Sequence, residues 1–241
     1  MNFRKKNIVA KLLILVSVTL VIVSCSTKKN NFVNRKYHNT TAKYNGYFNG
    51  NESLKAGIKK LEENHKDDFS EIIPVFKTGD LAKNQTIHPY MNKAIEKGSI
   101  VIQRHSMNIR GKEHNKWIDD NYFMIGKSYF YKGEFDEAIK TFNYIKETYK
   151  RNPLKYDAAL WLARCFSEKE DYVAAEMELD QLQTDRKFPD KLDDELAVIL
   201  ADFYLKQENY ILALDELNTA IKLIKKRKKK TRFYFILAQL N

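Results

Sequence analysis

Along the second half of the chain, apolar and small positions return in a fixed order. Gly126, Ala163, Ala201 and Ala238 are spaced 37, 38 and 37 residues apart. Three positions after the first three stand Tyr129, Phe166 and Tyr204, and twelve positions after them stand Ala138, Ala175 and Ala213. Each of those alanines follows an aromatic residue (Phe135, Tyr172, Tyr210) and precedes a large apolar one (Phe142, Leu179, Leu217). Spacing is constant inside a unit and varies by one residue between units, which predicts rigid helical hairpins joined by adjustable loops. Small residues suit the close approach of the two helices of a hairpin. Aromatics fill the space against the next hairpin, because one unit alone cannot bury its apolar faces.

Helix-end chemistry agrees with this division. Asp171 and Asn209 stand where the second helices of two hairpins should start, as N-cap types. Pro189-Asp190 followed by Asp193, Asp194 and Glu195 places negative charge at the start of a first helix. The fourth unit carries Phe235, Leu237 and Ala238 before the sequence stops at Asn241, so the expectation is a unit lacking its second helix.

Upstream of Asn115 the pattern is less regular. Tyr44, Tyr47 and Phe48 share a helical face, Asn49-Gly50-Asn51 is expected to turn, and Leu54, Ile58 and Leu61 mark a second amphipathic helix. Together these predict one more hairpin. Phe69–Phe76, with Pro74 inside it, reads as an extended crossover. Pro89 then opens a helix carrying Met91, Ala94, Ile95, Gly98 and Ile102, expected to pack on the first repeat.

The chain begins with a basic stretch (Arg4, Lys5, Lys6, Lys11) and an apolar run from Leu12 to Val23. That run is short for a span of about 20 residues, so residues 1–24 read as an export signal. Ile22-Val23-Ser24-Cys25 matches a bacterial lipobox, which makes Cys25 the site of lipidation, with residues 25–40 as a lipidated tether. Several acyl chains on one residue give stable anchoring. Cys165 is then the only free thiol, expected as a buried small hydrophobe.

Composition is globular, with 44% hydrophobic and 30% charged residues, and only 8 Gly and 4 Pro argue against an all-β fold. The formal charge is +11, and removing the four basic residues of the export segment leaves about +7. That excess suits anionic lipid, an anionic envelope polymer or an acidic protein, and does not single out nucleic acid. The densest charge lies at Lys225, Lys226, Arg227, Lys228, Lys229 and Lys230, flanked by Lys222 and Arg232. It is expected as a solvated turn between the third and fourth units, or as a contact for an acidic partner.

Candidate chemistry is sparse. His38, His65, His88, His105 and His114 form no His-Glu-x-x-His pair, and there is no Cys-x-x-Cys, phosphate loop or Gly-x-Ser-x-Gly. The reading is therefore no catalytic residues, no metal site and no cofactor beyond the lipid on Cys25. An enzyme with its catalytic domain after Asn241 stays open.

The repeat resembles the tetratricopeptide repeat. Its first unit follows that pattern through Tyr122, Ile125, Gly126, Tyr129, Gly133, Phe135, Ala138, Phe142 and, slightly late, Pro153; Ala163 and Ala201 replace the glycine in the next two. The fold class implied is all-α: a tetratricopeptide-type hairpin solenoid over 115–241 behind an N-terminal helical region at 41–114. In such repeats partners lie along a concave groove, which by register would expose Phe123, Lys127, Phe130, Leu160, Arg164, Val198, Asp202 and Leu205.

A second resemblance rests on the segments Cys25–Arg35, Ala42–Glu52, Asn92–Lys97 and Gln103–Ile109, which are similar to the N-terminal part of the SprE/PorW lipoproteins of gliding motility and type IX secretion in the Bacteroidota. It implies a periplasmic component on the inner face of the outer membrane, with other proteins of that apparatus as partners, in a chain that continues past residue 241. The polar, non-acidic residues after Cys25 fit periplasmic retention. The alternative is a repeat lipoprotein that assists outer-membrane barrel assembly or captures glycan.

Overall fold

The computed structural model describes residues 26–81 and 83–240. Residues 1–24, expected to be an export signal, lie outside the described residues together with Cys25, Ala82 and Asn241, so the lipobox reading has no structural counterpart here. Among the described residues, no helix is long and apolar enough to cross a membrane.

The fold is mostly helical. Helix α1 (Phe32–Thr41) runs through a π-helical stretch (Ala42–Tyr47) into α2 (Phe48–Asn64). An irregular segment and a 3-10 turn (Gln85–Ile87) lead to α3 (His88–His105), with Pro89 in its first turn. A two-stranded antiparallel hairpin follows, β1 (Asn108–Ile109) and β2 (Lys112–Glu113), turning through left-handed Arg110 and Gly111. Then come α4 (Ile118–Tyr131), α5 (Phe135–Thr148), α6 (Leu154–Glu168), α7 (Tyr172–Thr184), α8 (Asp193–Lys206), α9 (Tyr210–Leu223) and α10 (Arg227–Leu240).

From α4 onward each helix packs on its chain neighbour, and α4 also touches α6 as α6 touches α8. Contacts between α4 and α5 run in opposite sequence directions: Tyr122 meets Tyr144, Phe123 meets Phe142, and Phe130 meets Phe135. This is an antiparallel hairpin, and the later pairs continue a stack of hairpins. The predicted small residues sit at the contacts. Ala163, Ala201, Ala138, Ala175 and Ala213 are fully buried, and a Cβ on Gly126 would lie 2.7 Å from the Phe142 ring. Ala238 is exposed.

The three hairpin turns share one geometry. Gly133, Glu170 and Glu208 take positive φ, and the next residue's N–H donates to the carbonyl of Tyr129, Phe166 or Tyr204. Asp171 and Asn209 cap their helices as expected, accepting from the N–H of Ala174 and Leu212. Acidic residues occupy the first turns of α4, α5 and α8. Between hairpins, Lys146 pairs with Glu178 at 2.6 Å and Lys206 with Glu168 at 2.8 Å; Lys206 also meets Asp202 of its own helix at 3.0 Å.

The N-terminal region departs from expectation at two places. Asn49-Gly50-Asn51 does not turn; it lies inside α2, and the hairpin is formed by α2 with α3. The glycines serve close approach instead. A Cβ on Gly46 would meet Val101 at 1.8 Å, on Gly50 Met124 at 2.6 Å, and on Gly57 Met91 at 2.5 Å. The supposed tether is helical from Phe32, capped by Asn31, and docked through buried Asn34 and His38. Buried positions here recur every fourth residue, at 34, 38, 42, 46 and 50. A 3.6-residue helix cannot keep that spacing on one face, and the π stretch underwinds it so that it can.

Candidate functional site

The first helices of the hairpins, α4, α6, α8 and α10, carry the predicted groove residues, and the structure shows what lies against them. The irregular segment after α2 runs along these helices. Asp67 and Phe69 reach α10, where Phe69 packs edge-on to Phe235 at 5.3 Å. Gln239 accepts from the Ile73 N–H at 3.0 Å and donates to the Glu71 carbonyl at 2.6 Å. Ile73 and Val75 are buried with Ala197, Ala201, Leu217, Ile221, Phe233 and Ile236. Burial of each contributes about 2 kcal/mol. Phe76 lies under the guanidinium of Arg164 at 4.0 Å.

Segment and groove together form the site. Alternate residues Ile73 and Val75 are buried while Ile72 and Pro74 are exposed, a strand-like period in the segment expected as an extended crossover. Arg164 is caged by Phe76, Trp161 at 4.3 Å and Phe130 at 4.7 Å, so its charge is met by ring faces. Lys127 stands 4.8 Å from the Trp161 ring, and burial pulls its ammonium below the ordinary lysine range despite Glu195. Burial would also depress Lys206, but Asp202 and Glu168 outweigh it and hold that ammonium above its usual value.

Of the predicted groove residues, Phe130 and Leu160 are fully buried within the core, and Arg164 and Asp202 are nearly so. Phe123, Lys127, Val198 and Leu205 are half-buried. Two open clefts flank the segment. One, of about 470 Å³, is lined by Ile72, Pro74, Asp202, Leu205 and Tyr210; the other, of about 620 Å³, by Phe76, Val198, Lys228, Lys229 and Arg232.

The basic run divides. Lys225 and Lys226 are in the loop, whereas Arg227 to Lys230 form the first turn of α10, with no acidic residue to complement the helix dipole. Lys225, Lys226 and Lys229 face Asp190, Asp193 and Asp194 across an open cavity of about 460 Å³. Arg232, which looked like one more charge of the run, instead binds Asp67 and the Pro74 carbonyl.

A further cavity, of about 720 Å³, opens beside the β-hairpin and is walled by Tyr122, Tyr144 and Tyr149 with Lys112, Lys150 and Arg151. The Glu113 carboxylate is used locally, accepting from the Ser106 hydroxyl and from the N–H groups of Met107, His114 and Asn115. Cys165 is buried, and burial pushes its thiol up to about 12. Among the described residues no group of three or more His, Cys, Asp or Glu could hold a metal ion.

In comparisons with known proteins, no family model and no curated protein matched this chain.

Proposed function

We propose that this protein is a tetratricopeptide-type scaffold lipoprotein, anchored through Cys25 to the periplasmic face of the outer membrane, which holds protein partners and performs no catalysis. The observation that carries this reading is that the hairpin stack already receives an extended, Pro-containing apolar segment along its first helices. That is the chemistry of peptide capture: alternate side chains buried, backbone and charges clamped at the ends. Resemblance of residues 25–35, 42–52 and 103–109 to the SprE/PorW lipoproteins supports placing it in type IX secretion and gliding motility.

Crosslinking in intact cells with the full-length lipidated protein as bait tests this. The expected catch is components of the secretion apparatus, and deletion is expected to abolish cargo secretion and gliding. General outer-membrane barrel defects would favour the barrel-assembly alternative. The glycan-capture alternative is favoured by the tyrosine-walled cavity beside the β-hairpin, since aromatic faces with polar rims suit sugar rings. Loss of nutrient uptake with secretion intact would support it.

A further inference from the structure

Helix α1 and the start of α2 expose large apolar side chains that the described residues leave largely uncovered. Phe32 is 70% exposed, Val33 58%, Tyr44 58% and Phe48 55%, with Tyr37 at 45%. The underwinding that lines up the buried row at 34, 38, 42, 46 and 50 must equally line up the rows beginning at 32 and at 33. Those rows carry Phe32, Tyr44 and Phe48, and Val33 and Tyr37, so two apolar clusters, Phe32-Val33-Tyr37 and Tyr44-Phe48, lie along one side away from the buried row, with Lys36 and Thr40 between them. Monomeric proteins rarely leave such a strip bare without a use for it.

The charge beside the strip is mostly positive. Lys28, Lys29, Arg35, Lys36 and Lys43 accompany it, and no acidic residue occurs from Ser26 to Asn51. Glu52, next in the row after Phe48, is paired with Lys55 at 2.8 Å, so basic side chains dominate the border, the composition of a helix lying in the boundary between lipid headgroups and acyl chains. A protein-binding strip has no need to exclude carboxylates; an anionic bilayer surface does.

We infer that this strip docks flat on a phospholipid surface bearing anionic headgroups, so that the hairpin stack is held in a fixed orientation to the membrane rather than swinging on a tether. The inference rests on the proposed anchoring of Cys25 for proximity, since Phe32 follows that residue by seven positions, at most about 25 Å of extended chain.

The test uses the full chain reconstituted into vesicles containing phosphatidylglycerol, with a spin label placed in turn at Tyr44→Cys, Phe48→Cys and, as reference, Lys140→Cys on α5. Cys165 is buried and does not compete for label. Labels at 44 and 48 are expected to be several-fold more accessible to oxygen than to a water-soluble nickel complex, with the reverse at 140 and a loss of contrast in high salt. Equal, water-like accessibility at all three positions would overturn the inference. So would labels at 44 and 48 shielded from both reagents, the pattern of a protein partner or second copy. Mass spectrometry of the same sample reads the anchor separately: a free Cys25 thiol with immersed labels removes the lipobox reading and leaves the docking surface standing.

Discussion

The guanidinium of Arg232 meets the carboxylate of Asp67 through two hydrogen bonds, Nη1 to Oδ2 at 2.8 Å and Nη2 to Oδ1 at 2.6 Å. Its Nε donates to the Pro74 carbonyl at 2.8 Å, so one side chain on the last helix holds the groove segment at two points. Such paired donors are the strong form of ion pair. Arg232→Gln is expected to cost about 1–3 kcal/mol, because it leaves a largely buried carboxylate with His65, at 2.9 Å, as its remaining side-chain partner. Amide exchange across residues 67–76 should accelerate in that variant. Unchanged exchange would show that burial of Ile73 and Val75 suffices to hold the segment.

Acid should loosen the structure in two steps. His105, whose Nδ1 lies 2.9 Å from Nδ1 of His38, is driven below the usual histidine range by burial, then by His38 and Arg104. The unfolded chain therefore takes up this proton first, and the contribution to stability is complete above about pH 6.5 and lost as pH falls below it. Asp120 opposes this: burial, with Asp119 and Asp157, raises it to about 6, so its contribution grows as pH falls through that value. The checkable quantity is the difference between variants: urea midpoints of His105→Gln should decline less than wild type from pH 7 to pH 5. A second loss comes lower. The Arg232 hydrogen bond outweighs desolvation and holds Asp67 at about 2, so the clamp is intact above about pH 4 and lost as pH falls toward 2.

Glu170 and Glu208 occupy left-handed backbone positions (φ 61° and 57°) that Gly133 fills in the first hairpin. A side chain there costs about 1–2 kcal/mol, partly offset by the entropy glycine loses on folding. Glu170→Gly and Glu208→Gly should each stabilise by about 0.5–1 kcal/mol in thermal unfolding, and Gly133→Ala should destabilise. Destabilisation by the glycine variants would mean that the glutamate side chains make contacts outweighing the strain.

Gly126 faces Phe142, whereas at the matching places of the next two hairpins Ala163 and Ala201 share core clusters with Leu179 and Leu217. Small glycine goes with the large ring, alanine with leucine. Gly126→Ala should cost about 1–3 kcal/mol through overpacking, and adding Phe142→Leu should recover most of it. Additive losses in the double-mutant cycle would contradict this pairing.

The repeat was legible because its spacing records contacts made within each hairpin, between residues close in sequence. Caps at Asp171 and Asn209 were legible for the same reason. Gly50 was misread because glycine marks both a turn and a close approach, and only the position of Met124 decides between them. The β-hairpin has only Gly111 as a local signal, because Arg110 takes its left-handed backbone without being a residue type that favours it. Phe69–Phe76 was recognisable as extended, but its destination depends on α10 more than 150 residues away. Local patterning also grouped Arg232 with its lysine neighbours and left Asp67 without a role.

The central claim is that the hairpin stack holds this segment of its own chain along the first helices. The most direct measurement is treatment of the full chain carrying Phe69→Cys and Phe235→Cys, two exposed residues whose rings lie 5.3 Å apart, with a thiol-specific crosslinker about 10 Å long, because ring contact alone does not bring two Cβ atoms to the roughly 4 Å that a disulfide needs. A crosslink joining positions 69 and 235 within one chain is the expected product. Failure of these two thiols to join, or their joining only between different chains, would contradict the account.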